Sequence, residues 1–303
     1  MTALSWTTRI RHDSDEMFRE WGSRLSSELA NAGLVQTPDT GQINWASVTR
    51  PGTNSVAGYE IWRFDDTLQG TAPVFLKLSY GTGGNANGPR LTLQVGTGSD
   101  GSGNLTGTVS GIFVNNSGTA HTSDTAYPSY LCVTEGFFGL NHKAGMGSTA
   151  SASCVFTVER LHDSNGDPSG DGVFITSHSP VSSSTAPVAV QYLKFSGTPE
   201  AFPQRASVND SGLSVVPQRP ITSTIGGGDT EAYLCWIKTP QVVPSACLLV
   251  VLANEVAQGG TFTSAPINGV SRTYIGCGLS TSSSAGPAVN TNWAYARLAM
   301  LWE

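Results

Sequence analysis

Tyr59-Glu-Ile-Trp-Arg-Phe64 decides the class of fold. Its side chains alternate with a period of two, with a set of rings on each face, and a helix cannot use that pattern. The same strand character recurs on both sides of a series of turns. Residues 74–80, 91–95 and 109–114 read as strands, followed by 153–158, 172–176 and 188–195. Later candidates are 232–237, 247–252, 272–276 and 293–298. Clusters of Gly, Asn, Asp and Pro separate them, and no stretch between them has helical spacing. Many short strands without helical crossovers predict a mainly β protein, an antiparallel β-sandwich with a jelly-roll-like body.

One segment departs from this period. Over residues 13–31, Phe18, Trp21, Leu25 and Leu29 recur at three- and four-residue steps and share one face of an amphipathic helix. Asp13 and Glu16 have capping-box spacing, Asp15 and Glu16 favour the positive end of the helix dipole, and Gly33 is a stop signal. Gly22 inside the helix costs about 1 kcal/mol relative to alanine, a cost that a closely approaching neighbour would justify. Two roles fit this apolar face. It packs on the chain's own β-body, or it docks on other subunits, with Phe18, Trp21, Leu25, Leu29 and the downstream Trp45 as the interface. The expected organisation is a helix and docking segment over 1–45, then β-rich regions over 46–150 and 151–303. The boundary falls in the small-residue stretch 145–152, and 46–303 is alternatively one β domain.

The chain has 303 residues, enough for a large core. Charged residues make up 13%, against about a quarter in soluble proteins generally. With 35 glycines and abundant Ser, Thr and Asn, the surface must be covered largely by hydroxyls and amides. The net charge is −6 and the 16 Lys and Arg form no run, which argues against a nucleic-acid partner. No apolar stretch approaches the roughly 18 residues of a membrane span, and the N-terminal residues lack the pattern of a signal peptide. The five cysteines, Cys132, Cys154, Cys235, Cys247 and Cys277, are widely spaced among apolar or small residues and read as buried free thiols.

Each chemical motif has a plainer reading beside it. Residues 96–101 spell a dinucleotide fingerprint, but more glycine and then a strand follow instead of a helix, so a loop between strands is the better reading. Asp163, Asn165 and Asp167 are spaced like the start of a calcium loop. Pro168 and Phe174 stand where that loop needs Gly and Glu, and a hairpin turn explains the stretch as well. His12, His121, His142, His162 and His178 form no metal or catalytic motif, and no cofactor motif is present. Tyr59, Trp62, Phe64 and Trp45 could line a sugar-binding face, although alternating rings in strands more often pack in a core.

The stretch from Phe18 to Trp45, with Gly58-Tyr-Glu-Ile-Trp-Arg-Phe64 and Ala72-Pro-Val-Phe-Leu-Lys-Leu-Ser-Tyr80, resembles the opening of a family of tailed-bacteriophage virion structural proteins. The resemblance covers about residues 15–100. It implies a non-enzymatic part of the tail, collar, fibre attachment or capsid decoration. Such a part folds in the host cytoplasm, resides in the virion, and assembles with copies of itself and with other virion proteins. The alternative is a carbohydrate-binding or carbohydrate-degrading β-sandwich that meets a host surface glycan.

Overall fold

A computed structural model describes residues 2–84, 87–116, 124–142, 154–162, 168–178, 188–195, 204–206, 213–214, 221–225, 228–238, 242–252, 256–264, 266, 269–277 and 296–303. The chain opens with strand β1 (Thr2–Arg9) and helix α1 (Asp15–Asn31). Then come β2 (Val35–Gln36), β3 (Val56–Arg63), β4 (Phe75–Thr82), β5 (Pro89–Ser99), β6 (Leu105–Val109) and β7 (Phe113–Asn116). The next run is β8 (Ala126–Thr134), β9 (Phe137–His142), β10 (Cys154–His162), β11 (Pro168–His178), β12 (Val188–Lys194) and β13 (Gln204–Ala206). The last is β14 (Leu213–Ser214), β15 (Ile221–Ile225), β16 (Gly228–Lys238), β17 (Val242–Leu252), β18 (Thr261–Thr263), β19 (Thr273–Gly276) and β20 (Ala296–Leu301).

These strands build three antiparallel sheets. The first is a meander, β2-β3-β4-β5-β6, with β7 on the same side of β5 as β6 but further along it. The second runs β1-β8-β9-β10-β11-β12-β13. In the third, β16 pairs with both β15 and β17, and the pairings through β18, β19 and β20 lead back to β17. Six strands therefore close into a ring, and closure removes sheet edges. The protein is mainly β and antiparallel with one helix near the N-terminus, as expected; most neighbours in the first two sheets are consecutive strands, and β1 joins β8 across more than a hundred residues.

The second sheet is the middle layer. Leu131, Val133, Phe138, Leu140, Phe156, Val158, Val173 and Ile175 share a core with α1 and the first sheet. Tyr130, Cys132, Phe137 and Val155, at the alternate positions, share another with the third sheet. Every residue of β9 is buried. An antiparallel sheet commonly leaves one face to water; this one is covered on both, which accounts for the burial of successive residues along β9. The expected boundary near residue 150 is corrected by the pairing of β9 with β10, from His142↔Cys154 to Phe137↔Glu159, which carries one sheet across it. The N-terminal segment is not separate either, since β1 pairs with β8 and β2 with β3.

Local chemistry sets the helix ends. Ser14, not Asp13, is the N-cap: its Oγ accepts from the Met17 N–H at 3.2 Å. Asp13 is drawn instead to the Arg11 guanidinium. At the other end the Ala32 N–H donates to the Glu28 carbonyl, and Gly33 adopts φ +94°, a conformation that glycine enters freely.

Candidate functional site

The expected interface residues lie inside the molecule. Phe18, Trp21, Leu25 and Leu29 are 0–1% exposed, packed against both the first and second sheets. This corrects the docking reading of that face, because a face fully used by the chain's own core has no area left for a partner. Trp45 is half-buried and lies against Gly22, where a Cβ would overlap its six-membered ring. The close neighbour that the helix glycine called for is thus a side chain of the same protein.

Glu60 holds this junction together. It sits on β3 on the same side as Trp62, facing the core, and is 1% exposed. Its Oε1 accepts from Ser26 Oγ of α1 at 2.7 Å and from Trp45 Nε1 at 2.9 Å. Its Oε2 accepts from Tyr80 Oη of β4 at 2.6 Å and from Trp62 Nε1 at 3.3 Å. Burial, and then the Glu60 carboxylate, push the Tyr80 phenol well above its usual range, so it stays a donor. Four donors on two buried oxygens satisfy the group and leave it only acceptor roles.

A second buried cluster surrounds Trp21. The ring centroids of His12 and His142 lie 4.8 and 5.7 Å from that of Trp21. Trp21 Nε1 donates to His142 Nε2 at 2.7 Å, and His142 Nδ1 lies 2.9 Å from Ser129 Oγ. Indole nitrogen can only donate, so Nε2 is the acceptor and the neutral ring carries its proton on Nδ1. The histidine therefore presents an N–H to the serine, not a lone pair. A general base for a serine nucleophile needs the reverse arrangement. Burial lowers the His142 pKa to about 4, and both side chains are closed off from solvent, so the pair is structural.

Arg160 ties the middle sheet to the first from β10. It is fully buried, ion-paired with Asp66, and lies 5.1 Å above the Phe64 ring. Its Nη2 donates to the Ala72 carbonyl at 3.0 Å. Glu60 and Arg160 were not singled out in the sequence, and His142 was named only among histidines that form no motif, although a common signal marks all three. Each occupies the parity of an inward apolar run, in Glu60-x-Trp62-x-Phe64, Phe138-x-Leu140-x-His142 and Phe156-x-Val158-x-Arg160. A polar group at an inward position is a buried, partnered group.

The remaining candidates sort as follows. Residues 96–101 span the end of β5 and its tight turn to β6, where Asp100 receives the N–H groups of Ser102 and Asn104. This is a hairpin and not a nucleotide cradle. The rings of the supposed sugar face do not share a surface: Trp62 and Phe64 are buried, while Tyr59 lies on the opposite face beneath Lys77, whose Nζ is 4.3 Å from the ring centroid. Asp163, Asn165 and Asp167 lie outside the described residues; the flanking strands β10 and β11 pair up to His162↔Pro168. Among the described residues, no three His, Cys, Asp or Glu side chains are grouped to hold a metal. Cys132, Cys247 and Cys277 are free and buried, and burial raises the Cys132 thiol to about 11. The side chains of Cys154 and Cys235 lie outside the described residues. No helix among the described residues is long and apolar enough to cross a membrane. No family model, no curated protein and no solved structure matches the chain.

Proposed function

We infer that this chain is a non-enzymatic structural component of a tailed phage particle, which joins copies of itself and other virion proteins in the tail, collar, fibre attachment or capsid decoration. The observation that carries the reading is the junction at Glu60. The three stretches that resemble the virion family meet there: Ser26 and Trp45 come from the first, Glu60 and Trp62 from the second, and Tyr80 from the third. What those stretches share is thus a single built unit that locks a helix onto a sheet. The Ser129–His142 pair is buried and serves packing, so the reading gives it no catalytic role. Contacts with other proteins must use the outer surface, because the helix face is already covered.

The test is mass spectrometry of gradient-purified particles of the phage that encodes the chain, beside particles made without its gene. The protein is expected in stoichiometric amounts in the first, with defective or lighter particles in the second. Its absence from clean particles, with normal assembly in the deletion, would refute the reading.

A further inference from the structure

Edge strands invite pairing with other chains, and natural proteins blunt them with short length, charge, proline or bulges. The described edges of this molecule show such devices, with one exception. β1 carries Arg9, β13 carries Arg205, and β2 and β14 are two residues long. β6 is interrupted by a register shift opposite Gly96–Gly98 and by Gly107 at φ +73°. β7, four residues long, has no charge, proline or bulge. Its pairing with β5 runs without a shift from Arg90↔Asn116 to Leu93↔Phe113, and no charged residue or proline occurs anywhere in residues 101–123.

The side chains sharpen the contrast. Phe113 and Asn115 point inward, 8% and 0% exposed, whereas Ile112 and Val114 are 63% and 41% exposed on the outer face. They are two of the four large apolar side chains described as exposed. An apolar, uncharged, unbulged edge would be an aggregation hazard in a chain that worked alone.

We propose that β7 is the contact between two copies of this chain, its edge pairing antiparallel with the β7 of a second copy about a twofold axis, so that the first sheets of both become continuous. Charge selects this occupant. Two copies that each carry −6 repel one another, and an uncharged stretch is where they meet without adding to that repulsion. A basic partner would have called for acids on this edge and an acidic one for Lys or Arg, and neither is there. Directly opposed residues in an antiparallel pair share a face, so with the twofold axis at Phe113, Ile112 of each copy lies opposite Val114 of the other. This sharpens the assembly reading by naming its contact, and the two fail separately: the test uses the isolated chain, whatever is found in particles.

The full chain is concentrated through a dilution series and its mass followed by light scattering or sedimentation. The expected result is a reversible dimer, with amide exchange slowing on concentration at residues 112–116. In the double variant Ile112→Lys/Val114→Lys, lysines oppose lysines, and dimer dissociation should strengthen by about a hundredfold or more. Both positions are exposed, so circular dichroism and thermal melting should be unchanged. Val270→Lys, at another exposed apolar position, should dimerise as the wild type does. A wild type that stays monomeric at its highest soluble concentration overturns the proposal and leaves the edge to a different chain. A dimer that survives both lysines, that Val270→Lys also disrupts, or that protects amides elsewhere but not at 112–116 overturns it equally. The exchange measurement needs no variant, so misfolding of the lysine form would not rescue the idea.

Discussion

A buried carboxylate is costly unless its surroundings replace the water it has lost, and at Glu60 four donors do so. That accounting predicts the effect of a single atom. Glu60→Gln puts an NH2 group where two donors now point, leaving buried hydrogens unmatched. A loss of about 2–4 kcal/mol in urea unfolding is expected, although the shape hardly changes. A loss below measurement error would mean that the junction relaxes around the amide. At His142 the argument runs through protons. The native ring resists protonation until about pH 4, whereas the unfolded ring binds a proton below the ordinary value of 6.5. Between those values the unfolded state holds more protons, so stability is complete above pH 6.5 and falls with acidification, by about 3 kcal/mol in all. Unfolding free energies of wild type and His142→Gln should differ by this amount in their total change across that window. Parallel curves would remove His142 as the cause. Both residues could be found in the sequence as polar groups at inward parity. Their partners could not, since Ser129 and Trp21 reach His142 only through the tertiary fold.

Among the elements, α1 was the most legible, because a 3.6-residue period over four turns has few competitors. Its cap was misplaced by one residue, since Ser14 and Asp13 are both good caps and only the contact of Asp13 with Arg11 separates them. What its apolar face touches was not readable, because an amphipathic stripe looks the same whether it meets its own sheet or another chain. Gly22 gives a sharp test. On an isolated helix Gly22→Ala should stabilise by about 1 kcal/mol. Here the added methyl meets the Trp45 ring, and a net loss of about 1–3 kcal/mol is expected, as for overpacked cores. The penalty should shrink in a Trp45→Phe background, whose smaller ring clears the site. A stabilising Gly22→Ala would show that Trp45 yields freely. Strands were recognised where β-branched and aromatic residues alternate, as in β3, β4 and β5. The stretch read as one strand over 109–114 proved to be the break between β6 and β7. There the Ser110 N–H donates to the Val95 carbonyl, and Ser110 Oγ accepts from the Val95 N–H. β1 was missed because Ala, Ser and Thr alternate too weakly, and its partner β8 lies more than a hundred residues away. β9 was missed because full burial erases alternation.

At the scale of the molecule, the class of fold was readable and the layering was not, since β1, β8 and β9 of the middle sheet were not recognised as strands. That layering has a thermodynamic consequence. Phe137 belongs to the core shared with the third sheet, and its neighbour Phe138 to the core shared with the first. Phe137→Ala and Phe138→Ala should each cost about 3–5 kcal/mol and lower the same calorimetric transition. Two resolved transitions, each sensitive to one variant, would show that the layers melt independently. A sheet clad on one side can tolerate a slipped strand by turning polar residues inward at one surface. The middle sheet has no such reserve: a frame shift of one residue exchanges its two sets of side chains, sending Phe138 and Leu140 toward the third sheet and Phe137 toward the first. Single-residue insertions or deletions within β8, β9 or β10 would then disrupt two cores in one event. Length variation in this protein is therefore expected in its turns and not in these three strands.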